Sequence, residues 1–367
     1  MPTCCSNASV CSEQSCQRRP VGSGRRTELS KVNRMPIIDM HTHTISKRVE
    51  PLIAGQYDPM DNPYRRDMSP ESRATDAEQG KLLPRLMLDV AARREVMQRM
   101  GVDFQVIAPA PAQQHYWAAE ELQVALSRVQ NEDVAALVAE DPGHFAGMGT
   151  LPMRFPARAI EEAVHAVETL GLRGFQIDTR VENLELSNAA FDPLYARLAK
   201  LRVPLFVHPL GFSHGQRLGE FFMVNSVGQP IEEAIAISHF ILGGVLDRHP
   251  ELDLVIAHGG GFYPFYAGRM DHAWKVRPEV KRLAAEAPSS YLKRLWFDTC
   301  VFRTDLTEAL VAMVGTERLM LGSDFPFDMG DDDPVGLVNR ARISEADREK
   351  ITFGNASRLF KISKVGA

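Results

Sequence analysis

From Met35 onwards the chain alternates short apolar runs with longer stretches in which apolar residues recur at helical spacing. The short runs read as strands: "PIIDMH" from Pro36, "DFQVIAP" from Asp103, "FAGMGTL" from Phe145, "RGFQID" from Arg173, "PLFVHP" from Pro204, "LDLVIAHG" from Leu252, "RLWFDT" from Arg294 and "RLMLGSD" from Arg318. Between them, "AAEELQVALSRVQNEDVAALVAED" from Ala118 and "ARAIEEAVHAVETLG" from Ala157 carry a helical period, and Gly171 suits the stop of the second helix. Strands separated by helical crossovers lie parallel, and eight of them suit a closed (β/α)8 TIM barrel, an α/β fold.

The pattern breaks between Arg48 and about Leu88, a stretch rich in Pro, Asp, Arg and Ser. It follows the first strand, so in a barrel it forms a long loop insertion over the face where the strands end, a lid or substrate-contacting segment with short helices. "FSHGQRLGEFFMVNSVGQP" from Phe212 is a second, shorter candidate for the same rim.

Composition narrows the partners. With 367 residues, 44% of them hydrophobic, the chain buries a large core, and its formal net charge of -5 offers no basic field for nucleic acid or an anionic membrane. No apolar run approaches the length of a spanning helix, so no membrane role is expected. Cys4, Cys5, Cys11 and Cys16 crowd into the first sixteen residues, without paired C-x2-C units, and leave Cys300 alone in the body. Residues 1–34 therefore read as a disordered extension, residues 35–367 as the barrel, and the setting as cytoplasmic and reducing.

Several strands finish on a metal-capable or proton-transferring residue: His41 and His43 on the first, His208 on the fifth, His258 on the sixth, Asp324 on the eighth. Side chains two apart in a strand share a face, and in a barrel all these C-terminal ends meet on one rim. Three imidazoles and a carboxylate suit a borderline divalent ion, Zn2+ with Mn2+ as the alternative, so His41, His43, His208 and Asp324 are expected ligands. Asp324 is also expected to exchange protons. His258, followed by Gly259-Gly260-Gly261, is the candidate general acid/base, its glycines leaving room for a substrate or merely turning strand into helix. The fourth strand offers no lysine to bridge a second ion, which favours a single one.

Taken together, "DMHTHT", "FVHP", "AHGGGFYPFYAGRMDHAW" and "LGSDFPF" resemble the amidohydrolase superfamily, and with "GMGTLPM", "ILGGVLDRHPELDLVIAHGGG" and "FGNASRLF" its decarboxylase branch, typified by aminocarboxymuconate-semialdehyde decarboxylase and aromatic-acid decarboxylases. The resemblance implies the same ligands, proton transfer by His258, and a homodimer in which Arg269 enters a neighbouring subunit's site to bind a carboxylate, the other reading of Arg269 being an ordinary arginine on a helix surface. It also implies a substrate-binding arginine after the first strand, where Arg48, Arg65, Arg66 and Arg85 stand. Asp298, ending the seventh strand, either meets substrate and ion-bound water or ties down a helix N-terminus. Trp117, with Tyr116, either walls the substrate pocket or packs under the lid.

The expected activity is metal-dependent, nonoxidative decarboxylation of an unsaturated or aromatic carboxylic acid, a small-molecule substrate. A hydrolase or hydratase using ion-activated water would need the same residues. Storage of metal without turnover would not need an acid/base histidine beside an open position.

Overall fold

Backbone hydrogen bonds tie eight parallel strands edge to edge in chain order in the computed structural model, which describes residues 34–211 and 215–366. The strands are β1 Ile38–Thr44, β2 Phe104–Pro109, β3 Phe145–Gly147, β4 Phe175–Ile177, β5 Leu205–Val207, β6 Leu254–Ile256, β7 Trp296–Asp298 and β8 Leu319–Met320. One arc runs from β1 to β3, the other from β4 to β8. A parallel bridge between Gly149 and Phe175 joins them at one seam, and one between Thr42 and Phe325 closes the other. At that second seam Met40 N donates to Leu321 O at 3.0 Å and His43 N to Phe325 O at 2.8 Å. This is the α/β barrel expected of the alternating pattern. The expected extension, with its four cysteines, lies outside the described residues except for Arg34.

Alternation along each strand sorts the core into two layers. Phe206, Val255, Ala257, Trp296 and Met320 fill the barrel's interior with Ile38, Met40 and Val106. Their neighbours Leu205, Val207, Leu254, Ile256 and Phe297 face the surrounding helices. β1 departs from strict alternation: its pairing with β2 slips between Asp39 and Thr42. The slip resets the phase. Met40 still packs inside, and the His41 ring, 4.9 Å from that of Phe206, faces inwards as well.

The helices read from the sequence form as Glu120–Glu140 and Pro156–Glu168, and Gly171 turns the chain afterwards at φ 72°. The insertion after β1 consists of short helices, Val49–Ile53, Pro63–Asp67, Pro70–Gln79 and Leu83–Leu88, with a 3-10 turn at Pro59–Asp61. Asp58, Asn62 and Ser69 each accept a hydrogen bond from a backbone N–H of the turn they start, and a proline follows each at the first helical position. Capping residue and proline together stop and restart the chain, so no long apolar stripe develops.

Candidate metal centre

The ends of β1, β5 and β8 bring four side chains to one point. One ligand atom from each of His41, His43, His208 and Asp324 lies within 4.8 Å of every other, and all four residues are buried. Asp324 Oδ1 is the hub: it lies 3.0 Å from His43 Nε2, 3.2 Å from His41 Nε2 and 3.6 Å from His208 Nε2. His41 Nε2 and His208 Nε2 are shut away from water without a hydrogen-bond partner. Buried polar nitrogens are seldom left so, and a divalent ion is the partner that three imidazoles and a carboxylate fit. The site is a divalent-metal site by its donor set.

Charge within the cluster is polarised. For Asp324 burial opposes ionisation, but the charge of His41 and the close approach of the His208, His258 and His41 imidazoles overcome it and hold the carboxyl well below its usual range. Burial pulls His41 down, yet Asp324 and a hydrogen bond to Asp298 outweigh it and lift the imidazole to about 9. His43 and His208 are dominated by burial and fall to about 4 and about 3, against the pull of Asp324. Two imidazoles are therefore neutral at pH 7 with lone pairs available for an ion.

His258 stands beside the cluster, its Nε2 3.4 Å from Asp324 Oδ2. Its Nδ1 lies 2.5 Å from Oε1 of Glu233, in the helix Gly228–Leu242. Burial lowers the His258 pKa, but the charge of Glu233 and the hydrogen bond with Asp324 raise it well above the ordinary value. Glu233 itself, buried, is pushed up to about 7 against the attraction of His258. The three glycines after His258 admit protein groups: a Cβ at Gly260 would meet the Phe297 ring at 2.6 Å, and one at Gly261 would meet Pro230 O at 2.4 Å and Glu233 Oε2 at 2.6 Å. Bare backbone lets the turn close on the helix that carries Glu233.

Glu233 was absent from the sequence reading. Its signal is there: it falls on the stripe of Ala236, Ile237 and Phe240, an acid on the buried face of an apolar helix.

Asp298 has no surface left for a substrate. It is fully buried; Oδ2 lies 2.7 Å from His41 Nδ1 and accepts from His258 N at 3.1 Å, while Oδ1 accepts from Gly259 N and Cys300 N, each at 3.0 Å. Of the two readings open for Asp298, the geometry fits the one that ties down a helix start: it anchors the His41 ring and the His258 turn. Such a carboxylate behind a ligating histidine sets the ring's orientation.

Two cavities reach Asp324. One, about 250 Å³, is lined by His208, Arg65, Tyr64, Asn225 and Gln229 among others. The other, about 790 Å³ and mostly apolar, is lined by His258, Phe262, Phe265, Tyr266, Val301 and Phe302 among others. Trp117 faces neither. It stacks on Tyr57 of the insertion at 5.3 Å and donates to His115 Nδ1 at 3.2 Å, bordering a separate cavity of about 440 Å³. Trp117 packs beneath the insertion with one face of its ring on Tyr57, and it lines neither of the cavities that reach Asp324. Arg269 is exposed on the helix Tyr263–Val276, on the outer surface. Of the insertion's arginines, Arg48 pairs with Glu132 and Asp133 and Arg66 with Asp67, whereas Arg65 lines the smaller cavity.

A parallel barrel with this histidine–aspartate set at its C-terminal rim is the architecture of a metal-dependent amidohydrolase, and a family model described as amidohydrolase matches residues 38–362. The chain belongs to that family. It is 32% identical over 270 residues, 73% of this chain and 75% of the relative, to 2-amino-3-carboxymuconate-6-semialdehyde decarboxylase of Dictyostelium discoideum. In structure it is similar to 5-carboxyvanillate decarboxylase from Sphingomonas paucimobilis, with a TM-score of 0.78 and 25% identity, covering 89% of this chain and 99% of that one. It is similar also to a dihydroxybenzoic acid decarboxylase from Polaromonas sp. JS666 with bound manganese and an inhibitor, with a TM-score of 0.74 and 25% identity, covering 90% and 98%.

Proposed function

We propose that this chain is a metal-dependent carboxy-lyase that removes carbon dioxide, without oxidation, from an unsaturated or aromatic carboxylic acid. The observation that carries the proposal is the placement of His258 Nε2 3.4 Å from Asp324 Oδ2, beside a four-donor cluster that opens into two cavities. The relatives named above are decarboxylases of such acids. Zn2+ is our choice of ion from the three-imidazole set, and Mn2+ is the alternative supported by the manganese of the Polaromonas structure.

When bound by His41, His43, His208 and Asp324, a divalent ion supplies positive charge beside the substrate's oxygens, where negative charge grows as the carbon–carbon bond breaks. The chain's own residues do the rest. Arg65, at the lip of the smaller cavity, meets the substrate's carboxylate. His258 carries the proton, because Glu233 and Asp324 hold it in the charged form. Glu233 keeps Nδ1 engaged, so Nε2 is the nitrogen presented to the reacting carbon. Carbon dioxide departs leaving its bonding pair on carbon, and the His258 proton takes its place there. Asp298 prevents the His41 ring from turning as this happens.

A homodimer belongs to the same proposal. Tyr266, 68% exposed, and Arg269 lie three residues apart on one helix, with Phe262 at its start 46% exposed, and an apolar face of that kind fits a second copy. Cytoplasmic residence is proposed with it and is supported by the free buried thiol of Cys300. No described helix is long and apolar enough to cross a membrane.

The test is turnover of amino-substituted muconate-type acids and hydroxybenzoates in deuterium oxide. One carbon dioxide released per product carrying one new carbon–deuterium bond supports decarboxylation. Solvent oxygen in the product without carbon dioxide would establish hydrolysis or hydration instead.

A further inference from the structure

Arg93, in the helix Val90–Met100, is completely buried, and its hydrogen bonds all go to oxygens of uncharged groups. Nη1 donates to Gln105 Oε1 at 3.1 Å and to Thr42 Oγ1 at 3.4 Å, and Nη2 donates to the main-chain carbonyl of His43. The guanidinium carbon lies 5.0 Å from the centroid of the Phe325 ring. Burial draws its pKa down to about 9 against the attraction of Asp39, so the group stays charged at neutral pH. A cation this deep costs several kcal/mol to desolvate, on the order of that for any buried ion, and calls for a reason.

Its location supplies one. Arg93 spans the seam where β1 meets the chain after β8, gripping the His43 carbonyl on one side and lying over the ring of Phe325, the residue after Asp324, on the other. Across the same backbone His43 Nε2 lies 3.0 Å from Asp324 Oδ1, and His41 O accepts from Asp324 N at 2.9 Å. We infer that Arg93 is a positioning residue of the metal centre, a planar bracket that fixes the spacing of His43 and Asp324 across the barrel's closing seam. The inference rests on the reading of these two residues as ligands. Only arginine offers a flat fork that bonds a carbonyl and an amide oxygen while its charge sits over a ring; lysine brings the charge without the fork.

Cobalt(II) replaces the resident ion for the test, because its visible absorption bands report ligand geometry, and its dissociation constant is read by chelator competition on the full chain. Arg93→Gln is expected to weaken cobalt binding by about 10- to 100-fold and to shift the bands, the range found when partners behind ligands are lost. Phe325→Leu, which removes the ring but keeps an apolar side chain, is expected to move both readings in the same direction by less, and it decides the matter if Arg93→Gln does not fold. Arg93→Lys is expected to leave the bands shifted; full recovery of the parental spectrum would overturn the bracket in favour of charge alone. Parental affinity and bands in both Arg93→Gln and Phe325→Leu, even with earlier melting, would reduce Arg93 to core support. A parent chain that binds no cobalt would overturn the ligand reading together with this one, whereas a binding parent with unaffected variants overturns this one alone.

Discussion

His258 is held at both ring nitrogens, by Glu233 Oε1 at 2.5 Å from Nδ1 and by Asp324 Oδ2 at 3.4 Å from Nε2. One carboxylate belongs to a buried helix and the other to the metal cluster, so the ring links the proton donor's reserve to the reaction centre. Removing the Glu233 charge leaves burial to act on the imidazole unopposed from that side, which lowers its pKa. Glu233→Gln should retain metal, reduce kcat by about 10- to 100-fold, and move the alkaline limb of the pH–rate profile to lower pH. An unmoved limb with full kcat would detach Glu233 from the chemistry.

Two histidines of the same cavity system should fail in different ways. His258→Ala should keep a full complement of ion and lose about 10²- to 10⁴-fold in kcat, the ordinary worth of a positioned acid or base. His208→Ala should lose metal affinity itself, which elemental analysis after dialysis would show. Equal ion content and equal activity in both would contradict the division of roles.

Ion binding should expel a proton. In the metal-free site His41 is raised to about 9, so at pH 7 it is protonated in the folded chain, and Nε2 must give up that proton to become a donor. His43 and His208, lowered to about 4 and about 3, are already neutral and release none. Calorimetric titration in buffers of different ionisation enthalpy should report about one proton released per ion at pH 7, falling off as pH rises beyond 9. The raised His41 also steadies the metal-free fold: that contribution is complete below the ordinary histidine value of 6.5 and fades as pH climbs through about 9.

Arg65→Ala should raise KM about 10- to 100-fold with a smaller change in kcat, the loss of one charge-assisted hydrogen bond of about 1.5–3 kcal/mol. Arg48→Ala, whose guanidinium is engaged by Glu132 and Asp133, should leave KM within about twofold of the parent, since an exposed ion pair is worth about 0–1 kcal/mol. Steady-state kinetics on both variants would reveal a reversal of this order.

The barrel was legible because each strand announced itself by a short apolar run, and because His41, His208 and Asp324 stand where such runs stop. What escaped was the identity of groups lying across from them on other elements. The β1 slip is invisible to a two-residue period, although His41 depends on it. Glu233 went unread because no strand end marks it; it sits on the buried stripe of its helix with Ala236, Ile237 and Phe240. Asp298 was placed at its strand end and Trp117 beside the insertion, but which way each side chain turns is decided by His41 and Tyr57, partners remote in sequence. For the insertion, the Asp58-Pro59, Asn62-Pro63 and Ser69-Pro70 steps were the readable helix starts.

His43 and Asp324 are 281 positions apart yet adjacent in space. Holding both ends of so long a loop together is an entropic burden on the chain that grows only slowly with length but must be met in full before the ring can shut. A cation gripped by both acts as a clasp on a bracelet: its departure makes the parting of the first and last staves easier, so chelators should loosen the fold as well as silence it.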